Sequence, residues 1–260
     1  MTTKREHISY SELKDWAHCP HYHKKAWIEK VAPFEGNEYT AFGSAIHDVC
    51  EKKLLKEDIN ETELFQVGFA KRIQDLLEKN IEFNPTNVEH MKTAGPAILA
   101  EVDAALEDYF GEYEVFSSEE MLYVPIENFN IFFKGFVDAV VKVGDTYHLF
   151  DWKTCSWGWD SRKKAEKLVT YQLTLYKHFF CQKHKIDPEK VETHFALLKR
   201  TAKKDRVEIF RVTSGPKKTE NALKLLYQAI YNITKRFTIK NRLNCHKPYP
   251  CKLLNTEHCP

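Results

Sequence analysis

The sequence predicts an α/β fold, with residues 1–260 forming one domain. Three observations predict it. Apolar residues recur at helical spacing through the first third of the chain. The apolar period then switches to two near residue 119. Beyond that switch, a helical stretch separates three strand-like segments from two more. No repeat or linker interrupts the chain. Its parts are a helical N-terminal part at about 8–115, a sheet with helices at about 116–237, and a Cys-rich tail at 238–260.

In chain order, "ISYSELKDWAHC" reads as a helix with Ser11 as its N-cap and Leu13 and Trp16 as apolar positions three apart. "GSAIHDVCEKKLLK" reads as a second helix following Gly43. Ile46, Val49, Cys50 and Leu54 form its apolar stripe, with His47 beside it. Further helices are expected at 62–79 and about 92–110. "EEMLYVPIE" alternates through Leu122, Val124 and Ile126, as a half-buried strand does. "NIFFKGFVDAVVKV" and "TYHLFDW" are β-branched and aromatic, and the Gly144-Asp145 turn joins them as a hairpin. Residues 163–182 place Leu168, Tyr171, Leu175 and Phe179 on one helical stripe. "ETHFALLK" and "RVEIFRV" are two more strands. A long helix at about 217–237 carries Leu223, Leu226, Ile230, Ile233 and Phe237.

The composition, 43% hydrophobic and 29% charged with no low-complexity tract, excludes fibrous and disordered classes. No stretch approaches the ~18 apolar residues of a membrane span, and the first residues lack a signal peptide's apolar run, so a cytoplasmic location is expected. Net charge is +2 but unevenly spread. Residues 101–130 hold nine acidic side chains and no Lys or Arg, whereas 199–242 hold thirteen Lys/Arg against three Asp/Glu. Such a run reads either as a solvated face or as a surface for a polyanion such as nucleic acid. The seven cysteines, an odd number, argue against a disulfide framework, and three of them crowd into the last sixteen residues.

The segment "GFVDAVVKVGDTYHLFDWKT" concentrates the chemistry. Asp138 ends one apolar run and Asp151 ends the next, and hairpin pairing sets them side by side. Two adjacent carboxylates are costly unless a positive charge lies between them, and Mg²⁺ or Mn²⁺ suits such oxygen ligands. Lys153 shares a strand face with Asp151, because side chains alternate with period two. An ammonium there can orient a water or stabilise an oxyanion, as metal-assisted phosphodiester hydrolysis requires. An Asp-x-Lys tripeptide on its own is common, and turn-capping aspartates with a solubility lysine at a strand end explain it more readily. His47 on its helix, and Gln172 with Tyr176 four residues apart on theirs, add to the pattern through their joint order.

The series "GSAIH", "GFVDAV", "DWKT" and "QLTLY" resembles the RecB-like branch of the PD-(D/E)XK nuclease superfamily, including its exonucleases associated with CRISPR adaptation. The opening "SYSELKDWAHCPHYHKKAW" resembles the branch's N-terminal segment, so the similarity runs from about residue 8 to 180. The resemblance implies a restriction-endonuclease-like core, a central mixed sheet flanked by helices. It also implies roles. His47, Asp138, Asp151 and the Trp152 backbone carbonyl hold the metal, with Glu120 a lower-ranked ligand. Lys153 positions and activates the attacking water. Gln172 and Tyr176 hold the DNA backbone or support the site.

Several members of that branch carry a 4Fe–4S cluster whose cysteines clasp the two chain ends together. The matching residues here are Cys19 beside Pro20, with Cys245, Cys251 and Cys259. The gaps exceed the usual Cys-x-x-Cys spacing, so zinc, a share for His246 or His258, and free thiols stay open as alternatives. Cys50, Cys155 and Cys181 read as packing residues.

For DNA contact, Trp157 and Trp159 flank a glycine ahead of Arg162, Lys163 and Lys164, which suits stacking plus phosphate binding on a single strand, or equally loop packing. "KRTAKK", with Lys199, Arg200, Lys203 and Lys204, is a candidate phosphate-binding edge. The leading expectation is a metal-dependent DNA nuclease. It is expected to act as an exonuclease on single-stranded or free-ended DNA, of a phage or CRISPR/recombination type, with recombination or adaptation proteins as partners. No G-x-x-x-x-G-K-S/T motif accompanies it, so it is expected to be a stand-alone nuclease module. The alternatives are a catalytically silent DNA-binding accessory subunit and an RNA-directed nuclease.

Overall fold

Ile8 is fully buried in an extended segment, and that sets where the first helix starts. The computed structural model describes residues 5–31, 34–246 and 250–260. In it, β1 (His7–Ser9) runs parallel to the first residues of a later strand, with Ile8 opposite Phe133. Ser9, not Ser11, then caps α1 (Tyr10–His18), its hydroxyl accepting from the Glu12 N–H. The short α2 (Pro20–His23) follows.

The second predicted helix begins earlier than Gly43. It is α3 (Glu38–Leu54), started by a capping box between Asn37 and Thr40. Gly43 lies inside it, where an added Cβ would meet the Thr154 hydroxyl at 3.4 Å. α4 (Glu61–Glu78) matches its expected span to within a residue. α5 (Pro85–Phe110) begins several residues before the predicted start, because Asn84 caps it and Pro85 supplies a preset first turn.

The strands are β2 (Glu114–Pro125), β3 (Phe132–Val143) and β4 (Thr146–Cys155), the last two antiparallel as the hairpin signal predicted. The helix expected at 163–182 is broken. α6 (Ser161–Ala165) ends at Glu166, whose backbone is extended, and α7 (Lys167–His184) resumes from it. β5 (Val191–Lys199) pairs parallel with β4, and β6 (Val207–Arg211) antiparallel with β5. α8 (Pro216–Thr234) is the last long helix.

The contacts divide the chain into two compact units that interleave along the sequence. The first comprises 1–34, 122–135 and 215–260; the second comprises 35–121 and 136–214. In the second unit the sheet is mixed and sandwiched by helices. One face packs Ala139, Val141, Phe150 and Trp152 against α3, α4 and α5. The other packs Phe195 and Leu197 against Leu173 of α7. Among the described residues no helix is long and apolar enough to cross a membrane.

Candidate active site

The β3–β4 register ends at the pair Ala139 and Phe150, and Asp138 and Asp151 are the residues immediately beyond it on the two strands. Asp138 and Asp151 therefore stand on one sheet face, with Lys153 two residues on along β4. Asp138 Oδ2 accepts the Trp152 backbone N–H at 2.7 Å. His47, brought in by α3, holds its Nδ1 3.6 Å from that same oxygen, beyond hydrogen-bond distance. The Asp151 side chain is only 3% exposed. Its Oδ1 accepts Gln172 Nε2 at 2.7 Å, and its Oδ2 is ion-paired with Lys153 Nζ. That Oδ2 is buried and receives no aligned hydrogen bond. Gln172 Nε2 also lies 3.3 Å from the Tyr176 hydroxyl, one turn further along α7.

The sequence model of the PD-(D/E)XK nuclease superfamily matches residues 7–260. The chain belongs to the PD-(D/E)XK nuclease superfamily. A solved structure of an Eubacterium rectale protein, described as a "putative exonuclease", shares the fold with a TM-score of 0.57 at 14% identity, over 96% of this chain and 86% of that one. Another solved structure, SSO0001, aligns over 89% of this chain and 78% of its own at 10% identity, with a TM-score of 0.39. No curated protein matches the sequence significantly.

The electrostatics of these grouped side chains follow from their burial. Burial, then the facing Asp151 charge, pushes the Asp138 carboxyl well above the usual carboxylate range. Burial, with Lys153 adding to it, pushes His47 down to about 4, leaving a neutral imidazole with a lone pair to donate. Burial works against the Lys153 ammonium, but the Asp151 and Asp138 charges outweigh it and hold its pKa above normal. Burial and the Asp151 charge keep Tyr176 a protonated phenol. A divalent cation fits this donor set. One buried carboxylate oxygen has only the Lys153 ammonium beside it, a second acid is pushed toward its neutral form by burial and the facing Asp151 charge, and a neutral imidazole stops short of bonding it.

Glu120, the lower-ranked ligand, is drawn elsewhere. It accepts Lys183 Nζ and His184 Nε2, both at 2.7 Å, and these bonds outweigh its burial and lower its pKa. Its neighbour Glu119 is the acid whose charge bears on Asp138. Glu119 has φ +48, one residue after the exposed–buried alternation of β2 slips at Ser117–Ser118, as at a bulge. A left-handed residue inside a strand leaves no mark on the period-two pattern, so the sequence does not distinguish Glu119 from its neighbours.

The residues expected to touch DNA fall into two groups. Trp157 is 76% exposed, and Arg162, Lys163, Lys203 and Lys204 are exposed as well. Lys163 Nζ also lies 4.9 Å from the Trp159 ring centroid. Three others are engaged inside the protein instead. Trp159 packs edge-on against Phe195 and Phe210. Arg200 stacks over Tyr39 at 4.8 Å and donates to Ser156. Lys199 pairs with Glu208.

Cys19, Cys245, Cys251 and Cys259 line one cavity of the first unit. The Asn241 N–H points at Cys19 Sγ from 3.4 Å, and the Cys251 N–H donates to the Cys245 carbonyl at 2.7 Å. Burial, followed by the three neighbouring cysteines, raises the Cys245 thiol. The His258 ring pairs with Glu257 instead, while its carbonyl lies 2.9 Å from His21 Nε2. His246 is exposed. Cys50 and Cys181 are buried, as packing residues are, and Cys155 is half-buried.

Proposed function

We propose that this protein is a Mg²⁺- or Mn²⁺-dependent deoxyribonuclease, an exonuclease acting on single-stranded or free-ended DNA in recombination or CRISPR adaptation. The observation that carries the reading is the buried face shared by Asp138, Asp151 and Lys153, with His47 against it. His47, Asp138, Asp151 and the Trp152 carbonyl would hold the ion. When bound, Mg²⁺ or Mn²⁺ would polarise the scissile phosphate and lower the pKa of water at the site.

The remaining work falls to the chain's own groups. Lys153 stays protonated beside Asp151, so its ammonium orients the attacking water and offsets charge developing on the phosphate. Gln172 fixes the Asp151 carboxylate through Oδ1 and links it to the Tyr176 hydroxyl. Exposed Trp157 with Arg162, Lys163, Lys203 and Lys204 suits an unpaired strand, by stacking and phosphate contact. The cavity lined by Cys19, Cys245, Cys251 and Cys259 supports a 4Fe–4S cluster in a structural role, with zinc the other thiolate-compatible occupant.

The deciding experiment offers end-labelled linear DNA and covalently closed circular single-stranded DNA, each with Mn²⁺ or chelator. The linear substrate is expected to shorten from its ends only with metal, and the circle to survive. Asp151→Ala and Lys153→Ala should lose on the order of 100–1000-fold in rate while still binding DNA. Wild-type protein that binds the linear substrate but leaves it intact would point to an accessory subunit, and cleavage of the circle would remove the exonuclease assignment. Brown, iron-containing protein when prepared anaerobically checks the cluster.

A further inference from the structure

On the sheet face opposite Asp151, β4 and β5 gather a second set of ligand-type side chains. The parallel register sets His148 beside Glu192, and His194 follows two residues later on the same face. His148 Nδ1 and His194 Nε2 face each other at 3.1 Å. Glu192 Oε2 lies 3.7 Å from the first nitrogen and 3.9 Å from the second, too far to hydrogen-bond either. Its other oxygen is held by Arg211 at 2.8 Å, which fixes the carboxylate with Oε2 turned to both rings.

We propose that His148, Glu192 and His194 form a zinc site, separate from the catalytic centre, that pins β4 to β5 under the end of α5.

The spacing fits. Tetrahedral Zn²⁺ with its usual bond lengths holds ligand atoms roughly 3.4 Å apart, and the three separations here bracket that figure. Two nitrogens and one carboxylate oxygen suit Zn²⁺ better than Mg²⁺. Glu192 is 25% exposed, which leaves solvent a path to the fourth position. The Tyr109 hydroxyl lies 3.2 Å from His194 Nδ1, the orienting partner that a metal-bound imidazole normally has. Without metal, one of the two facing nitrogens must carry a proton. Binding needs only a tautomer change in the ring that carries it. If that ring is His194, the proton leaves Nε2 and Nδ1 gains one, and Tyr109 turns from donor to acceptor. The last turn of α5 packs on both rings through Phe110, and a helix C-terminus favours a cation. Arg211 opposes the ion, but its side chain is mostly in solvent, where its charge is screened.

The test titrates the full-length protein with Zn²⁺ against a chromophoric chelator and compares wild type with His148→Gln and Glu192→Gln. These changes leave the cysteine cavity and the His47 site intact, so each variant is expected to bind one equivalent fewer with an unchanged circular dichroism spectrum. Asp151→Ala should retain that equivalent. Tyr109→Phe should weaken it by about tenfold. With Co²⁺ as probe, the wild-type-minus-variant spectrum should show tetrahedral ligand-field bands without thiolate charge transfer. Equal zinc content in wild type and both variants, or a difference spectrum with thiolate bands, would overturn the site and leave a metal-free histidine pair. Should His148→Gln fail to fold, the more exposed Glu192→Gln decides alone.

Discussion

Asp151 accepts a hydrogen bond from Gln172 on one oxygen and is ion-paired with Lys153 through the other, and these two side chains lie 21 and two residues away in sequence. The two-residue relation was legible because strand alternation fixes it; the 21-residue relation was legible only through a motif. Glu12 was not singled out at all. It is buried, and it accepts His23 Nε2 at 2.7 Å and pairs with Arg5. Burial alone would raise its pKa, but the His23 and Arg5 bonds prevail and lower it. The folded state therefore holds this carboxylate ionised to lower pH than the unfolded chain does. Its contribution is complete above the unfolded value near 4.5 and is lost as pH falls through the lower folded value. Glu12→Gln should cost about 2 kcal/mol at neutral pH. The gap to wild type should shrink as the solution is acidified below that window, read from urea midpoints at a series of pH values.

At the scale of elements, α4 and α5 meet through a missing side chain. A Cβ on Gly95 would fall 2.2 Å from the Phe65 ring, so the glycine makes room for that ring inside the Phe42–Phe65–Phe69 cluster. Helix propensity favours alanine over glycine by about 1 kcal/mol, but overpacking a core costs about 1–3 kcal/mol. Crowding should win. Gly95→Ala is expected to lower the unfolding midpoint, and adding Phe65→Leu should recover part of the loss in a double-mutant cycle. Helix existence was readable from apolar spacing, but helix starts were not. α3 and α5 begin where Asn37 and Asn84 cap them, ahead of the apolar stripes that marked them. The strand β1 escaped notice because three residues are too short to display a period.

For the whole molecule, the basic excess in 199–242 resolves into two populations. Lys199 and Arg200 are held by Glu208, Tyr39 and Ser156, while Lys203 and Lys204 stay in solvent. Only free cations release counterions when a polyanion binds. Arg162→Ala combined with Lys203→Ala and Lys204→Ala should weaken binding to single-stranded DNA at low salt. It should also reduce the slope of log affinity against log salt by about 2, since each phosphate contact contributes about 0.7. An unchanged slope would remove these three from the DNA path.

By itself the sequence determined the α/β class, the hairpin that seats Asp138 beside Asp151, and the ordered motifs that mark His47, Lys153, Gln172 and Tyr176. Each of these is local, set by backbone period or turn chemistry. The tertiary structure alone decided that Glu120 turns to Lys183 and His184, that Trp159 and Arg200 pack inward, and that His148, Glu192 and His194 meet on the far face. Those outcomes depend on which strands become neighbours, and in particular on the parallel register of β4 with β5. That register joins residues more than forty positions apart, and no local spacing encodes it.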